Sequence, residues 1–239
     1  LAEGKDVLPG LHANTQIPKL RGAERQFELG FADPRLAPAA EFFWTTVVRH
    51  HTYATGGNSL NEYFGPEDAI AARLEGNTTE TCNTYNMLKL SLALFQRTGD
   101  ARFMDYHERA TWNHILASQD PRSAAVAYFT PLRAGGKKEF QRPFEDFTCC
   151  LGTGMESHAA YGDAIYGVGE EGEVPVLYVN QFISSKAHWR EKGGSIEQKT
   201  SLPDDGRVRL VLGREAGAEP LDLNLRLRIP AWAADAGAP

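Results

Sequence analysis

The hydrophobic pattern of this 239-residue chain changes its period near residue 170. Before that point apolar residues recur at helical spacing, as they do at Ile17, Leu20, Ala23 and Phe27. After it they alternate with polar residues, most strictly over 221–229, which is typical of a half-buried antiparallel strand. Helices followed by a run of strands indicate separate domains. The sequence therefore predicts a multidomain α-then-β protein, helical over 1–168 and antiparallel β over 169–239.

The helical part is predicted to contain five helices, over 12–29, 33–51, 79–98, 101–118 and 151–166. Thr78 or Thr79 is predicted to cap the third of these. Because neighbouring helices are joined by short connections, they are expected to form antiparallel pairs. A succession of such pairs indicates a toroid or solenoid of helices. The strands of the β part are predicted at 177–182, 187–189, 195–200, 207–212 and 221–229.

Charge and hydropathy exclude some classes of partner. The formal net charge is −6 and no basic stripe is present, so a nucleic-acid partner is not expected. No apolar run reaches the roughly 18 residues that a membrane span needs, so no membrane partner is expected either. The chain does not begin with Met, and the sequence therefore leaves the cellular compartment and the oligomeric state open.

The three cysteines point to a metal site. Cys149 and Cys150 are adjacent, and Gly152 and Gly154 follow them, which allows irregular backbone that turns both thiolates toward one point. The third cysteine follows Glu80 by two residues at the predicted start of a helix. Thiolates and one carboxylate form a plausible zinc site, with one thiolate also available for chemistry. The alternatives are a buried structural Cys82 beside an exposed Glu80, and a chance pair or a vicinal disulfide at 149–150.

Two further sets of polar residues are candidates for function. Glu62 lies in a long segment without periodicity, beside Tyr63 and Phe64, and is either a general acid or a solvated loop residue. His12 opens the first predicted helix and is interpreted as a cap or as part of a ligand-binding edge. The pair at 50–51 is interpreted as a solvent-exposed helix end rather than a metal site.

Several stretches together resemble one family, the β-L-arabinofuranosidases of glycoside hydrolase family 127 and its close relative family 146. The resemblance runs in order through nearly the whole chain, over 11–19, 55–59, 77–87, 144–150, 178–182 and 227–232. It implies part of an (α/α)6 barrel followed by an antiparallel β-sandwich portion. Residues 1–168 would be the C-terminal half of the barrel, and 169–239 an incomplete part of the sandwich, so that the chain is expected to be a fragment.

The same resemblance implies roles for individual residues. The zinc ligands would be Glu80, Cys82, Cys149 and Cys150. Cys149 would be the nucleophile and Glu62 the acid/base, in a retaining hydrolysis of an oligosaccharide or glycan that passes through a thioglycosyl intermediate. The residues expected to line the sugar pocket are His12, Glu108 and Tyr128. Two other functions stay open, a non-catalytic zinc-stabilised carbohydrate-binding protein and a purely structural helical repeat domain.

Overall fold

A computed structural model of the chain describes residues 1, 3–31 and 33–236. The chain divides into two compact units, Leu1–Ala160 and Tyr161–Pro239. The first is helical and the second contains the strands. Within the described residues, no helix combines the length and the apolar character that crossing a membrane requires.

In the part of the helical unit that the structure describes there are five α-helices: α1 (Ala13–Glu28), α2 (Leu36–Thr46), α3 (Thr81–Thr98), α4 (Ala101–Ala110) and α5 (Cys149–Ala159). A π-helical turn extends α2 over Val47–His51, and another extends α4 over Thr111–Ile115. Short 3-10 segments lie at Ala71–Arg73 and Leu116–Ser118. The helices therefore follow the predicted order, with α5 beginning two residues earlier and ending well before the predicted 166.

Helix α3 is the centre of this unit because it contacts each of the other four α-helices. Its buried side chains include Met87, Leu90 and Leu94, which are fully enclosed. Trp44 of α2 packs edge-on against Phe103 of α4 and donates its ring N–H to a serine hydroxyl on α3, at 2.7 Å. Burial of this many apolar side chains along one helix stabilises it more than its intrinsic propensity does.

The start of α3 differs from the prediction. The cap position is Glu80, with an extended backbone, and not Thr78 or Thr79. Both threonine hydroxyls donate to the carbonyl of Thr130 instead, at 3.1 and 2.7 Å. These bonds tie the segment before α3 to the loop at 126–132, and they leave the side chain of Glu80 free to face the start of α5.

A buried ion pair joins α1 to α3. Glu24 is completely buried, and one of its carboxylate oxygens accepts a 2.6 Å hydrogen bond from Arg97. Arg97 also lies 3.5 Å from a carboxylate oxygen of Glu41 on α2. The buried charge of Glu24 is therefore compensated by Arg97, and removing either residue would leave the other without its partner at high cost.

We expect Glu24→Ala to lower the free energy of unfolding by about 3 kcal/mol, because it leaves the partly buried Arg97 without its closest counter-charge. Glu28→Ala is the matched control on the same helix. Glu28 pairs most closely with the exposed Arg25, and also with the half-buried Arg21, and its loss should cost less than about 1 kcal/mol. Urea unfolding of both variants measures the difference. Equal losses would show that burial of the Glu24 pair contributes nothing special.

The described residues of the second unit include six strands in two three-stranded sheets. The strands are β1 (Tyr166–Glu171), β2 (Val174–Val179), β3 (Ser185–Trp189), β4 (Gly194–Ser201), β5 (Asp205–Arg214) and β6 (Asn224–Leu227). The sheet orders are β1-β2-β6 and β3-β4-β5. Leu177, Val179 and Ile196 form a shared apolar core, and side chains from both sheets line a cavity of about 630 Å³.

Three predictions for this unit are wrong in detail. Strand β1 lies over Tyr166–Glu171, where no strand was predicted, and its first residue is the last one of the helix predicted over 151–166. The strand spans residue 168, where the domain boundary was predicted. Strand β2 covers Val174–Val179 rather than 177–182. The final strand is shorter than 221–229, pairs parallel to β2, and leaves all four of its side chains exposed. Alternation indicates a strand, but it contains no information about the direction of the partner.

Candidate functional site

Two helix N-termini converge at one point of the helical unit. Helix α3 begins directly after Glu80 and α5 begins at Cys149, where the Thr148 hydroxyl caps the helix by accepting from the Leu151 amide. Glu80 is the cap residue of α3 and Cys82 lies in its first turn, while the two adjacent cysteines lie in the first turn of α5. The positive ends of both helices therefore face these anionic side chains.

The side chains of these four residues form one cluster. Their ligand atoms, one from each of Glu80, Cys82, Cys149 and Cys150, all lie within 4.8 Å of one another. The sulfur atoms of Cys82 and Cys150 are 3.2 Å apart, and those of Cys149 and Cys150 are 4.0 Å apart. One oxygen of Glu80 lies 3.7 Å from Cys149 Sγ and 3.6 Å from Cys150 Sγ. All three cysteines are free, and only Cys149 is exposed.

The electrostatics of the cluster favour a bound cation. Burial, followed by repulsion from Cys150 and Glu62, raises the pKa of Glu80 to about 8. The hydrogen bond between the sulfur atoms of Cys82 and Cys150 raises the pKa of Cys82 and lowers the pKa of Cys150 to about 7. Burial raises the pKa of Cys149. The second oxygen of Glu80 is buried without a hydrogen-bond partner. A metal ion would satisfy that oxygen and allow all four groups to ionise together.

A second carboxylate faces the cluster. One oxygen of Glu62 lies 2.7 Å from the His12 ring nitrogen Nε2, and the other accepts a 2.5 Å hydrogen bond from the Tyr128 hydroxyl. The same hydroxyl lies 3.5 Å from Cys149 Sγ. Burial, followed by hydrogen bonds to Glu62 and Cys149, raises the pKa of Tyr128. Tyr128 therefore stands between the carboxylate and the exposed sulfur.

The backbone holds Glu62 in an unusual conformation. Its φ angle is +70°, and the preceding Asn61 has φ +47°, both in the left-handed region. The amide of Ala13 donates to the Glu62 carbonyl at 2.7 Å, and the amide of Asn61 donates to the Asn77 carbonyl at 2.9 Å. Glu62 is thus fixed between the start of α1 and the segment leading to α3, and it is not a solvated loop residue.

The remaining predicted residues are placed as follows. His12 occupies the cap position of α1 but makes no capping bond with its side chain, which turns toward Glu62 instead. Glu108 lies in the last turn of α4 and is half-buried, and its role in a sugar pocket stays a prediction. The interpretation of 50–51 as an exposed helix end is wrong for His51, which is buried and bonded to Asp6 at 2.8 Å.

Glycines bring the loop before Glu62 close to the helices. A Cβ on Gly57 would lie 2.6 Å from Thr79 and 3.0 Å from the ring of His114. Gly56 has φ +96° and would meet the backbone of Ala110 at 2.6 Å. Only glycine fits such approaches, so the two glycines at 56–57 are required for the position of the loop. His114, which lies against Gly57, is fully buried, and its ring nitrogen Nδ1 is 2.7 Å from the Thr84 hydroxyl of α3.

Burial lowers the pKa of His114 from 6.5 to about 4. Between pH 4 and pH 6.5, His114 is therefore protonated in the unfolded chain and neutral in the folded chain. Stability from this group is therefore complete above about pH 6.5 and falls by about 3 kcal/mol as the pH drops to 4. Denaturant unfolding at several pH values should show a steeper acid loss in the parent than in His114→Gln. Parallel pH profiles would contradict a neutral, buried His114.

Sequence reasoning missed Asp6, Thr153 and His114. Thr153 Oγ1 lies 3.0 Å from Cys82 Sγ. Its position four residues after Cys149 on a helix is a signal that was available, because residues four apart share a helix face. The partnership of Asp6 with His51 has no such signal, since 45 residues separate the two.

The fold and the site together define a class of protein. It has a helical domain with a candidate metal centre of one carboxylate and three cysteines, and a β unit follows that domain. The model of the GH127 β-L-arabinofuranosidase catalytic domain matches residues 1–163. The model of the GH127 middle domain matches 176–238. The chain belongs to the glycoside hydrolase family 127 β-L-arabinofuranosidases.

Individual relatives agree with this placement. A non-reducing end β-L-arabinofuranosidase of Bifidobacterium longum subsp. longum is 23% identical over 218 residues, which cover 84% of this chain and 32% of that protein. A GH127 β-L-arabinofuranosidase structure from Geobacillus stearothermophilus T6 superposes with a TM-score of 0.69 at 23% identity, over 92% of this chain and 36% of its own. A further GH127 β-arabinofuranosidase gives 0.77 at 22% identity, over 95% and 35%. The chain thus spans about a third of these relatives, whose structures share its fold.

Proposed function

We propose that this chain carries the catalytic site of a retaining glycoside hydrolase that releases β-L-arabinofuranose, or a related sugar, from an oligosaccharide or glycan. The observation that supports it best is the shared contact of Glu62 and Cys149 with one tyrosine hydroxyl. A carboxylate and a nucleophile that face the same space are what a retaining glycosidase needs.

The spacing of these groups favours retention over inversion. The two contacts with Tyr128, 2.5 and 3.5 Å, share one atom, so Glu62 Oε1 and Cys149 Sγ lie no more than 6.0 Å apart. Retaining enzymes separate their two groups by about 5–5.5 Å, and inverting enzymes need about 6.5–9.5 Å to admit a water molecule. The largest possible distance between Glu62 Oε1 and Cys149 Sγ is therefore shorter than the separation found in inverting enzymes.

Zinc is the ion that fits the donor set. Three thiolates and one carboxylate, from Cys82, Cys149, Cys150 and Glu80, match the four-coordinate, sulfur-rich sites that zinc prefers. When bound there, zinc would keep the sulfur atoms deprotonated at neutral pH. The four residues themselves fix the direction of the reactive sulfur, because each stands at the start of a rigid helix.

The residues of the chain then divide the chemistry between them. The Cys149 thiolate attacks the anomeric carbon while Glu62 donates its proton to the leaving oxygen. In the second step Glu62 takes a proton from water, which displaces the sulfur and releases the sugar. Tyr128 and His12 orient the Glu62 carboxylate through their hydrogen bonds, and His12, Tyr128 and Glu108 would contact the sugar.

The helical unit, predicted over 1–168, would form the C-terminal half of an (α/α)6 barrel, and the strands over 169–239 would belong to a β-sandwich. The order of helix pairs and the likeness to the GH127 structures support this arrangement. The chain spans about a third of the length of those relatives.

We expect one zinc ion per chain after purification, because the buried Glu80 oxygen and the three free sulfur atoms are stabilised by one tetrahedral ion. Elemental analysis measures the stoichiometry. Cys82→Ala should lower it strongly, while a variant outside any candidate metal group, such as Glu28→Ala, should not. No stoichiometric metal in the parent, together with a Cys149–Cys150 disulfide, would contradict the proposed site.

Hydrolysis itself is tested with an aryl β-L-arabinofuranoside. Proton NMR of the first product formed should show β-L-arabinofuranose, the retained anomer. Appearance of the α anomer first would exclude the double displacement. Binding of the sugar without turnover by the zinc-loaded protein would favour a non-catalytic binding function.

A further inference from the structure

The three sulfur atoms of the cluster have different neighbours. Cys149 is exposed, and the Tyr128 hydroxyl approaches it only to 3.5 Å. Cys82 is fully buried, and the Thr153 hydroxyl lies 3.0 Å from its sulfur. The contact of the Thr153 hydroxyl with Cys82 is thus shorter than that of the Tyr128 hydroxyl with Cys149. A fully buried cysteine therefore has a closer hydroxyl than the exposed cysteine has.

The position of Thr153 allows it to act across two helices. It lies on α5, one turn after Cys149, and its hydroxyl reaches a ligand of α3. The same oxygen lies 3.3 Å from the carbonyl of Cys149. A hydroxyl has one hydrogen to donate, and an ionised acceptor makes the stronger bond. When Cys82 is a thiolate, the hydrogen is therefore directed to its sulfur rather than to the carbonyl.

The negative charge of the four clustered side chains favours a nearby hydrogen-bond donor. Three thiolates and a carboxylate carry four negative charges, of which a divalent ion neutralises two. Among the described residues, none of the ion pairs with Lys or Arg includes one of these four side chains. The excess charge is compensated by the two helix N-termini and by neutral hydrogen-bond donors.

We propose that Thr153 is a positioning residue of the metal centre, which donates a hydrogen bond to the Cys82 thiolate and holds that sulfur as a structural ligand. Cys149, with its longer hydroxyl contact and open side, remains the sulfur that reacts. This inference rests on the proposed function, because it assigns a role within the same metal site. It divides the three cysteines by their hydrogen bonds as well as by their exposure.

The test compares Thr153→Val, which removes the hydroxyl at nearly constant shape, with Thr153→Ser, which keeps it. Ser157→Ala is the matched control, because Ser157 lies one turn further along α5 and donates only to the carbonyl of Gly154. The zinc dissociation constant of each protein is measured by competition with a chromogenic chelator at pH 7. The thermal midpoint of each metal-free form is measured in parallel.

We expect Thr153→Val to weaken zinc binding by about 10- to 100-fold, the usual effect of losing a hydrogen bond to a metal ligand. Thr153→Ser and Ser157→Ala should bind zinc as tightly as the parent, and all metal-free midpoints should agree. Unchanged affinity in Thr153→Val, or an equal loss in Ser157→Ala, would overturn the inference alone. Absence of zinc binding by the parent would overturn it together with the proposed metal site.

Discussion

Cys149→Ser is expected to abolish turnover, with a loss on the order of 10⁶-fold, the effect of removing the nucleophile from a well-studied hydrolase. A serine hydroxyl without a dedicated base is almost fully protonated at neutral pH and is a poor nucleophile. The structure gives the reason for choosing this sulfur: it is exposed and lies beside the hydroxyl that also contacts Glu62. The rate of hydrolysis is measured with zinc content determined on the same sample.

Cys150→Ser is the matched control for this prediction. Cys150 is fully buried and faces Cys82, so its sulfur cannot reach a sugar on the exposed side of the cluster. Its loss should weaken metal binding, and excess zinc should restore part of the activity. Activity that survives in Cys149→Ser would contradict these roles. Excess zinc that restores activity in Cys149→Ser but not in Cys150→Ser would reverse them.

Glu62→Gln is expected to slow hydrolysis of substrates with poor leaving groups by roughly 10²–10⁴-fold, the usual contribution of general acid–base catalysis. Substrates with activated aryl leaving groups should lose less in the first step, because a good leaving group departs without a proton. Glutamine keeps the size of the side chain and its bond to Tyr128, so the difference reports protonation rather than shape. Comparing kcat/KM for the two substrate types gives the result.

Glu67→Gln is the control for Glu62→Gln. Glu67 lies in the same segment but is exposed and pairs with His50, so both substrate types should retain their rates. If Glu62→Gln lowered the two rates equally, or lowered neither, Glu62 would not be the acid. Glu108 would then be the next carboxylate to replace.

Hydrophobic periodicity predicted most of the helices because their burial is one-sided and repeats along the chain. The buried residues of α1 recur at helical spacing, at Ala13, Ile17, Leu20 and Glu24. Helix α3 is buried on nearly every side, but it ends at Gly99, whose φ of +68° only glycine adopts readily. The parallel pairing of β6 with β2 was not predictable in the same way. Strand direction depends on a partner more than 40 residues away, and alternation looks the same for both directions.

The candidate site was predicted where its residues are close in sequence. Adjacent cysteines and the Glu80–Cys82 spacing are local signals, and each stands at the start of a helix. The bond from Tyr128 to Glu62 spans 66 residues, and the contact of Thr153 with Cys82 spans 71. Such contacts follow from how the long loops pack against α3 and α5. Only the resemblance to a family pointed to Tyr128. The position of Thr153 four residues after Cys149 was a local signal, but it did not identify Cys82 as the partner.

Covalent labelling tests most directly whether a metal-bound cysteine is the nucleophile. The zinc-loaded protein is treated with a cysteine-directed mimic of β-L-arabinofuranose, digested, and examined by mass spectrometry to find the residue that carries the sugar. The account predicts a single label on Cys149, with Cys82 and Cys150 unmodified, because only Cys149 is both exposed and next to Tyr128. A label on Glu62, Glu80 or Cys150 would contradict it.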